Sequence, residues 1–235
     1  MPFNFLIFFI TLLKTHFIET NNMIKRIVSY IFPITRKVNS KFNGYLELTL
    51  SNGKTVLNSS KTNYSYGSLQ RVLKFSIEQI DLSDKENILI LGLGGGSVIQ
   101  TLRKEFAYKG KITAIEIDPV IIDLAENEFG IVPDDNTLIL CADAFDFVRN
   151  DDHKFDLVII DLFIDDRIPE KFLLQEFWRE LLAKVENNGN IIFNTLCNPT
   201  TNTQPIEAKL KKRGFDAFVY RYVEGTNKVL IANYH

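Results

Sequence analysis

Glycines and acidic residues that could hold a nucleoside follow apolar runs of this sequence. The segment Gly92-Leu-Gly-Gly-Gly-Ser97 comes directly after the apolar residues Ile88–Leu91. Glycine lets the backbone turn tightly and leaves no side chain between a ligand and the first amides of the next helix. The segment therefore predicts a nucleoside-binding turn whose contact positions are Gly92, Gly94, Gly95 and Gly96.

Two acidic residues end the next apolar run, which covers residues 111–117 and continues to Asp118. In a strand, turn, helix and strand unit, an acid at the tip of the second strand can hold a ribose, because a carboxylate accepts hydrogen bonds from both vicinal hydroxyls. We therefore predict that Glu116 and Asp118 bind a ribose. Glycine turns after strands also occur for packing reasons alone, so a purely structural interpretation of the turn stays open.

These residues need a parallel sheet to bring them together. Short apolar runs alternate with segments of helical periodicity, which predicts an α/β fold with a mostly parallel central sheet and helices on both faces. Ligands of such sheets lie beyond the carboxyl ends of the strands, where the glycine turn, Glu116, Asp143 and Asp161 would converge, although each Asp could instead cap a helix. The predicted strands are 88–91, 111–117, 137–141, 155–160 and 191–196, with antiparallel closing strands at 215–220 and 229–232.

The chain before this sheet has a different pattern. Residues 1–22 contain an apolar run that is far shorter than the ~20 residues of a membrane helix and lacks the features of a signal peptide, so we expect a dispensable or disordered leader. Residues 23–82 predict a short amphipathic helix, a small β-hairpin around Asn52-Gly53 and a linking helix of about residues 69–80. A helix is also predicted over about residues 169–185. Residues 83–235 would form the nucleoside-binding catalytic domain.

Composition excludes several classes of partner. The formal net charge is -2, which gives no basic face of the kind that nucleic acid requires. The two cysteines, Cys141 and Cys197, lie in or beside apolar runs, which indicates reduced and buried thiols in a cytoplasmic protein. The three histidines lack the spacing of metal ligands. We therefore expect a cytoplasmic protein that binds no metal, no nucleic acid and no membrane.

The order of these motifs resembles the spermidine synthase family, the polyamine aminopropyltransferases, and especially its shorter spermidine-synthase-like members. The resemblance runs from about residue 44 to 196 and implies the Rossmann-like fold of S-adenosylmethionine-dependent methyltransferases. It implies that Asp143-Ala144 contacts an adenine and that Asp161 is catalytic. It also implies that Tyr66 contacts the substrate and that Asp165 and Asp166, close to the family's second acid, attract a polycation.

The activity implied by the resemblance is transfer of an aminopropyl group from decarboxylated S-adenosylmethionine to a small amine such as putrescine. Asp161 would orient the amine and accept its proton during an in-line displacement. The family has an Asp inside the glycine turn, and Gly95 takes that position here, so a methyltransferase that uses S-adenosylmethionine itself stays open. A catalytically silent nucleoside-binding or partner-binding protein, an NAD-dependent oxidoreductase and a homodimer stay open as well.

Overall fold

The computed structural model describes residues 23–59, 67–164, 167–195, 201–225 and 227–234. The first of these ranges begins with a short helix, α1, over residues 23–28 and continues into an antiparallel sheet of three strands. These strands are β1 (Ile34–Ser40), β2 (Gly44–Ser51) and β3 (Lys54–Asn58), in that spatial order.

The predicted hairpin is confirmed as β2 and β3. Ser51 pairs with Lys54 across a two-residue turn in which Asn52 has φ 50° and Gly53 has φ 71°. Positive φ at both positions is what a tight hairpin turn requires, and Asn-Gly meets that requirement at low cost. The sequence did not predict β1, because this edge strand is exposed along most of its length and shows little apolar alternation.

In the described residues after 59, seven strands form a second sheet in the order β6-β5-β4-β7-β8-β10-β9. Strands β4 to β8 pair in parallel, and β10 pairs antiparallel with both β8 and β9. The Rossmann-like fold with an antiparallel closing segment is thereby confirmed. The strands are β4 (Asn87–Leu91), β5 (Lys111–Glu116), β6 (Thr137–Cys141), β7 (Phe155–Ile160), β8 (Val185–Asn194), β9 (Phe215–Val223) and β10 (Asn227–Tyr234).

Helices separate these strands along the chain. They are α2 (Ser68–Ile77), α3 (Ser97–Gln100) with the π-helical turn Thr101–Glu105, α4 (Pro119–Phe129), α5 (Ala144–Asn150), the 3-10 helix Glu170–Leu173, α6 (Gln175–Ala183) and α7 (Gln204–Lys212). The prediction of one helix over residues 169–185 is wrong. Leu174 is extended, with φ −69° and ψ 147°, and separates the 3-10 helix from α6. Strand β8 then begins at Val185 and includes Asn188 at φ 65°.

Apolar side chains cover both faces of the central strands. Ile88 and Ile90 of β4 are fully buried in the cluster on one face, and the alternate residues Leu89 and Leu91 are fully buried in the cluster on the other. Burying one such side chain contributes about 1.5–3 kcal/mol, so the strand ends are held on a rigid support. Within the described residues, no helix is long and apolar enough to cross a membrane.

The prediction of two buried thiols is wrong for Cys141, which is exposed. Cys141 is the last residue of β6, and β6 is an edge strand with β5 as its neighbour in the sheet. An apolar run on an edge strand is covered less completely than the same run at the centre of a sheet. Cys197 lies outside the described residues.

Candidate active site

The glycine turn lies against the segment that follows β7. Gly92 has φ +94°, and a Cβ atom on this residue would lie 2.2 Å from the carbonyl oxygen of Asp161. A side chain therefore fits neither the conformation nor the space. This close approach brings the turn after β4 next to Asp161, at the point where the order of the strands reverses, and such a point is the usual ligand crevice of an open α/β sheet.

A cavity with an empty volume of about 850 Å³, including its open mouth, lies at this place. Apolar side chains form much of its lining, among them Leu162 and Phe163 after β7 and Phe172 in the 3-10 helix. The predicted site residues that line the cavity are Gly92, Gly94, Glu116, Asp143, Ala144 and Asp161.

The other predicted site residues lie elsewhere. Gly96 has φ +75° and is the N-cap before α3. A Cβ atom on it would lie 2.3 Å from Cγ1 of Ile131, so packing alone requires glycine there. Gly95 and Asp118 are not among the residues that line the cavity. Tyr66, Asp165 and Asp166 lie outside the described residues. Ligand contacts by all of these residues stay predictions.

Glu116 ends β5 and accepts hydrogen bonds from three backbone amides. Its Oε2 accepts from the N–H groups of Leu93 (3.1 Å) and Gly94 (3.4 Å), and its Oε1 accepts from that of Asp118 (3.0 Å). Burial raises the pKa of Glu116, and these three amides oppose that shift by stabilising the carboxylate. The carboxylate therefore shapes the glycine turn from the position predicted to hold a ribose.

Asp118 is fully buried and ties the N-terminal sheet to the central one. Its Oδ2 accepts from the hydroxyl of Ser40 and from Nδ2 of Asn43 at 2.7 Å, and its Oδ1 accepts from the amide of Val120 at 3.0 Å. It thereby caps α4 and fixes the turn between β1 and β2. That turn places Phe42 and Asn43 at the cavity, so the small sheet contributes part of the cavity wall.

Asp143 caps α5 and forms an ion pair with Lys171, which follows it by 28 positions. Its Oδ1 accepts from the amides of Phe145 (2.8 Å) and Asp146 (3.4 Å), and its Oδ2 accepts from the Lys171 ammonium. Although burial alone would raise the pKa of Asp143, Lys171 and the two amides hold it below its ordinary value. Lys171 also lines the cavity, so its ammonium lies beside the predicted adenine contact.

Asp161 directly follows β7 and is fixed at both backbone and side chain. Its amide donates to the carbonyl oxygen of Leu91 at 2.8 Å, and its Oδ1 accepts from Nδ2 of Asn194 at 2.9 Å. Burial raises the pKa of Asp161 to about 6, and the Asn194 amide opposes this shift. A carboxylate with such a pKa can be ionised at neutral pH and still accept a proton, which suits a general base.

Two residues of this site escaped the sequence analysis. Asn194 is the polar residue that ends the apolar run of β8, so the rule that selected Asp161 could also have selected it. Lys171 gives no comparable signal, because it lies in a short 3-10 helix that the sequence analysis assigned to a longer α-helix. In the described part of the chain, no group of three or more His, Cys, Asp or Glu side chains could hold a metal ion.

The fold and the cavity define a Rossmann-like protein of the methyltransferase fold class with an acidic site at the carboxyl ends of its parallel strands. Residues 68–224 match the spermine/spermidine synthase domain. Since the match covers more than half of the 235 residues, this chain belongs to the spermine/spermidine synthase family.

Relatives include both aminopropyltransferases and methyltransferases. A polyamine aminopropyltransferase of Sulfolobus acidocaldarius is 36% identical over 48% of this chain and 39% of that protein. An eEF1A lysine and N-terminal methyltransferase homolog of Drosophila pseudoobscura pseudoobscura is 28% identical over 62% of this chain and 23% of that protein. The matched region thus spans less than half the length of either relative.

A solved structure of a methyltransferase-like protein shares the fold of this chain. Human methyltransferase-like protein 13, crystallised in complex with SAH, superposes with a TM-score of 0.57 at 25% identity. The superposition covers 72% of this chain and 80% of that one.

Proposed function

We propose that this chain is a spermidine-synthase-like transferase that takes an adenosyl-sulfonium donor and alkylates a small amine such as putrescine. The observation that carries the proposal is the position of Asp161. Its carboxylate lies at the same cavity as the glycine turn and Glu116, on a strand end that is fixed by hydrogen bonds. A proton acceptor next to a nucleoside site is the arrangement that amine alkylation needs.

The donor would lie along the β4 and β5 side of the cavity. Glu116 would accept hydrogen bonds from the ribose hydroxyls, and Asp143 with Ala144 would contact the adenine. Apolar side chains such as Leu162 and Phe163 line the same cavity and suit the flat face of a base. The donor class we propose is decarboxylated S-adenosylmethionine, as a co-substrate and without a metal.

The reaction would be an in-line displacement at the carbon attached to the sulfonium sulfur. The amine lone pair forms the new N–C bond while the C–S bond breaks, and the electron pair of that bond leaves with sulfur as a neutral thioether. A free alkylamine has a pKa of ~10.4, close to that of lysine, so it must lose a proton before it attacks. The Asp161 carboxylate accepts that proton and orients the nitrogen.

Methyl transfer from intact S-adenosylmethionine is the second candidate. Gly95 stands where the aminopropyltransferase pattern has an acid for the donor's amine, and the methyltransferase relatives support the same conclusion. The chemistry is again displacement at a carbon attached to sulfonium, so Asp161 could serve either reaction. The two candidates differ in the donor and not in the fold.

Calorimetric titration with decarboxylated and intact S-adenosylmethionine separates the candidates. We expect tighter binding of the decarboxylated donor, and an aminopropylated product by mass spectrometry when putrescine is added. Preference for the intact donor with a methylated product would favour the second candidate. Binding of neither donor by a folded protein would refute the nucleoside site and both candidates with it.

A further inference from the structure

Two buried asparagines, on the neighbouring strands β8 and β10, are linked by hydrogen bonds to Asp161. Asn194 ends β8 and is fully buried, and Asn227 begins β10 with 4% of its surface exposed. Nδ2 of Asn227 donates to Oδ1 of Asn194 at 2.8 Å, and Nδ2 of Asn194 donates to Oδ1 of Asp161 at 2.9 Å. The three side chains therefore form a relay of hydrogen bonds that runs from Asn227 through Asn194 to Asp161.

We propose that Asn194 and Asn227 are positioning residues that hold the Asp161 carboxylate with Oδ1 occupied, so that Oδ2 is the oxygen presented to the acceptor amine. The inference rests on the proposed function of Asp161 as proton acceptor. It adds two residues from β8 and β10 to a site that the sequence placed at the ends of other strands. Neither asparagine would touch the substrate.

The direction of the relay follows from hydrogen-bond chemistry. An amide has donors on nitrogen and acceptors on oxygen, and a carboxylate only accepts. Because the carboxylate of Asp161 needs a donor, Asn194 must turn its nitrogen toward Asp161 and its oxygen toward Asn227. Asn227 supplies the donor for that oxygen, and it thereby fixes the orientation of the Asn194 amide.

The strands around the relay make this arrangement rigid. Asn194 pairs directly with Val229 in the antiparallel ladder of β8 and β10. The pairing of β10 with β9 shifts its register between Asn227 and Val229, and such irregularities re-aim side chains near sites. A buried amide without its partner costs free energy, so loss of either asparagine would release the carboxylate from its orientation.

The pKa of Asp161 depends on the charged and polar groups around it, and it can be measured. Besides Asp161, the charged groups among the described residues that line the same cavity are Glu116, Asp143 and Lys171. Burial raises the pKa of Asp161 to about 6, and the amide of Asn194 counteracts this shift. Removing the donor favours the protonated form, so the pKa of Asp161 must rise further in a variant without the Asn194 amide.

Carbon-13 NMR of the aspartate carboxyl groups measures that pKa directly, with the Asp161→Asn variant to assign the signal. We expect Asn194→Ala to raise the pKa of Asp161 by about one unit, a tenfold change in proton affinity. Asn227→Ser should raise it by less, and Asn194→Gln, which keeps an amide, should restore part of the wild-type value. An unchanged pKa in folded Asn194→Ala would overturn the proposal.

A matched control lies on the same two strands. Nδ2 of Asn190 on β8 donates to Oδ1 of Asn233 on β10 at 2.9 Å, at the other end of the segment over which these two strands pair. Asn190→Ala should leave the pKa of Asp161 unchanged, and an equal rise in this control would overturn the proposal. Should Asn194→Ala fail to fold, Asn227→Ser decides the question, since an unchanged pKa there also overturns it.

The NMR measurement needs neither donor nor turnover, so it is independent of the proposed function. If the amine is alkylated as proposed, the acidic limb of the pH profile of kcat should move to higher pH in Asn194→Ala. The KM for the adenosyl-sulfonium co-substrate should stay constant. Absence of any transfer activity together with the expected pKa shifts would refute the proposed function and leave the relay intact. Normal activity and an unmoved pH profile would refute the relay alone.

Discussion

The two halves of the carboxyl edge of the central sheet use their acidic residues differently. On the half formed by β5 and β6, Glu116, Asp118 and Asp143 each accept several hydrogen bonds from the chain itself. On the half formed by β7 and β8, the side-chain hydrogen bond that the described residues give Asp161 comes from Asn194. Among the described residues, the first half therefore supplies several hydrogen-bond donors to each of its acids, and the second half supplies fewer to Asp161.

Acidic residues that share one sequence pattern therefore have two different roles. All of these acids follow apolar strands, and the pattern alone predicts the same kind of site residue for each. A carboxylate that accepts several backbone amides stabilises the fold around it, and those hydrogen bonds oppose the rise in pKa that burial causes, as they do for Glu116. A buried carboxylate with a single donor keeps a raised pKa, which is costly for stability and useful for proton transfer.

Asp161→Asn gives the largest expected effect and tests the donor-poor half. Turnover should fall by ~10² or more because the amide cannot accept a proton. The folded pKa of about 6 lies above the ordinary value of 3.8, so the ionised group opposes folding once the pH exceeds these values. The variant should therefore be more stable than wild type at pH 8, by at most roughly 3 kcal/mol, and the gap should close as the pH falls from about 6 to about 4.

Steady-state kinetics, together with urea unfolding at pH 8 and at about pH 4, check this prediction. Near-normal turnover with an accepted amine, or a loss of stability in proportion to the loss of activity, would make Asp161 a structural residue. The comparison between the two halves would then fail.

Asp118→Ala tests the donor-rich half and should lower the free energy of unfolding by about 2 kcal/mol or more. The substitution removes an N-cap, which typically contributes ~1 kcal/mol, and leaves the buried hydroxyl of Ser40 without its acceptor. The affinity for the adenosyl-sulfonium co-substrate should change less than the free energy of unfolding. Asp123→Ala, at an exposed position of the same helix, is the matched control for denaturant unfolding. A stability of Asp118→Ala equal to that of the control would contradict the structural role.

Glu116→Gln should weaken binding of the adenosyl-sulfonium co-substrate by about tenfold, since a hydrogen bond to a charged group contributes ~1.5–3 kcal/mol. Glu116 lies in the donor-rich half but also lines the cavity, so it tests whether one carboxylate can shape the turn and hold a ribose. Calorimetry with methylthioadenosine measures the change. The ribose role is refuted if the folded variant binds this nucleoside as tightly as wild type does.

Lys171→Gln should have the smallest effect. The ion pair with Asp143 is partly exposed, and such pairs contribute at most about 1 kcal/mol. The pKa of Asp143 should rise because the neighbouring ammonium is lost, and carboxyl NMR can follow this shift. A loss of stability as large as that of Asp118→Ala would show that Lys171 belongs to the core of the fold and would blur the distinction between the halves.

The sequence by itself determined the fold and the edge of the sheet where a site must lie. Alternating apolar runs and helical segments specify a parallel sheet, and the Asn52-Gly53 turn specifies a hairpin, because these are local properties of the chain. The positions of Glu116, Asp143 and Asp161 at strand ends follow from the same reasoning. Elements with weak local signals were missed, as the exposed strand β1 shows.

Only the tertiary structure decided which partner each carboxylate has. The donors come from distant positions: Ser40 lies 78 residues from Asp118, and Asn194 lies 33 residues from Asp161. A one-dimensional pattern contains no information about such contacts, because strand order and register bring the donors to the acids. The pKa of a buried carboxyl depends on those donors and on burial, so the division between structural and reactive acids arises only when the chain is folded.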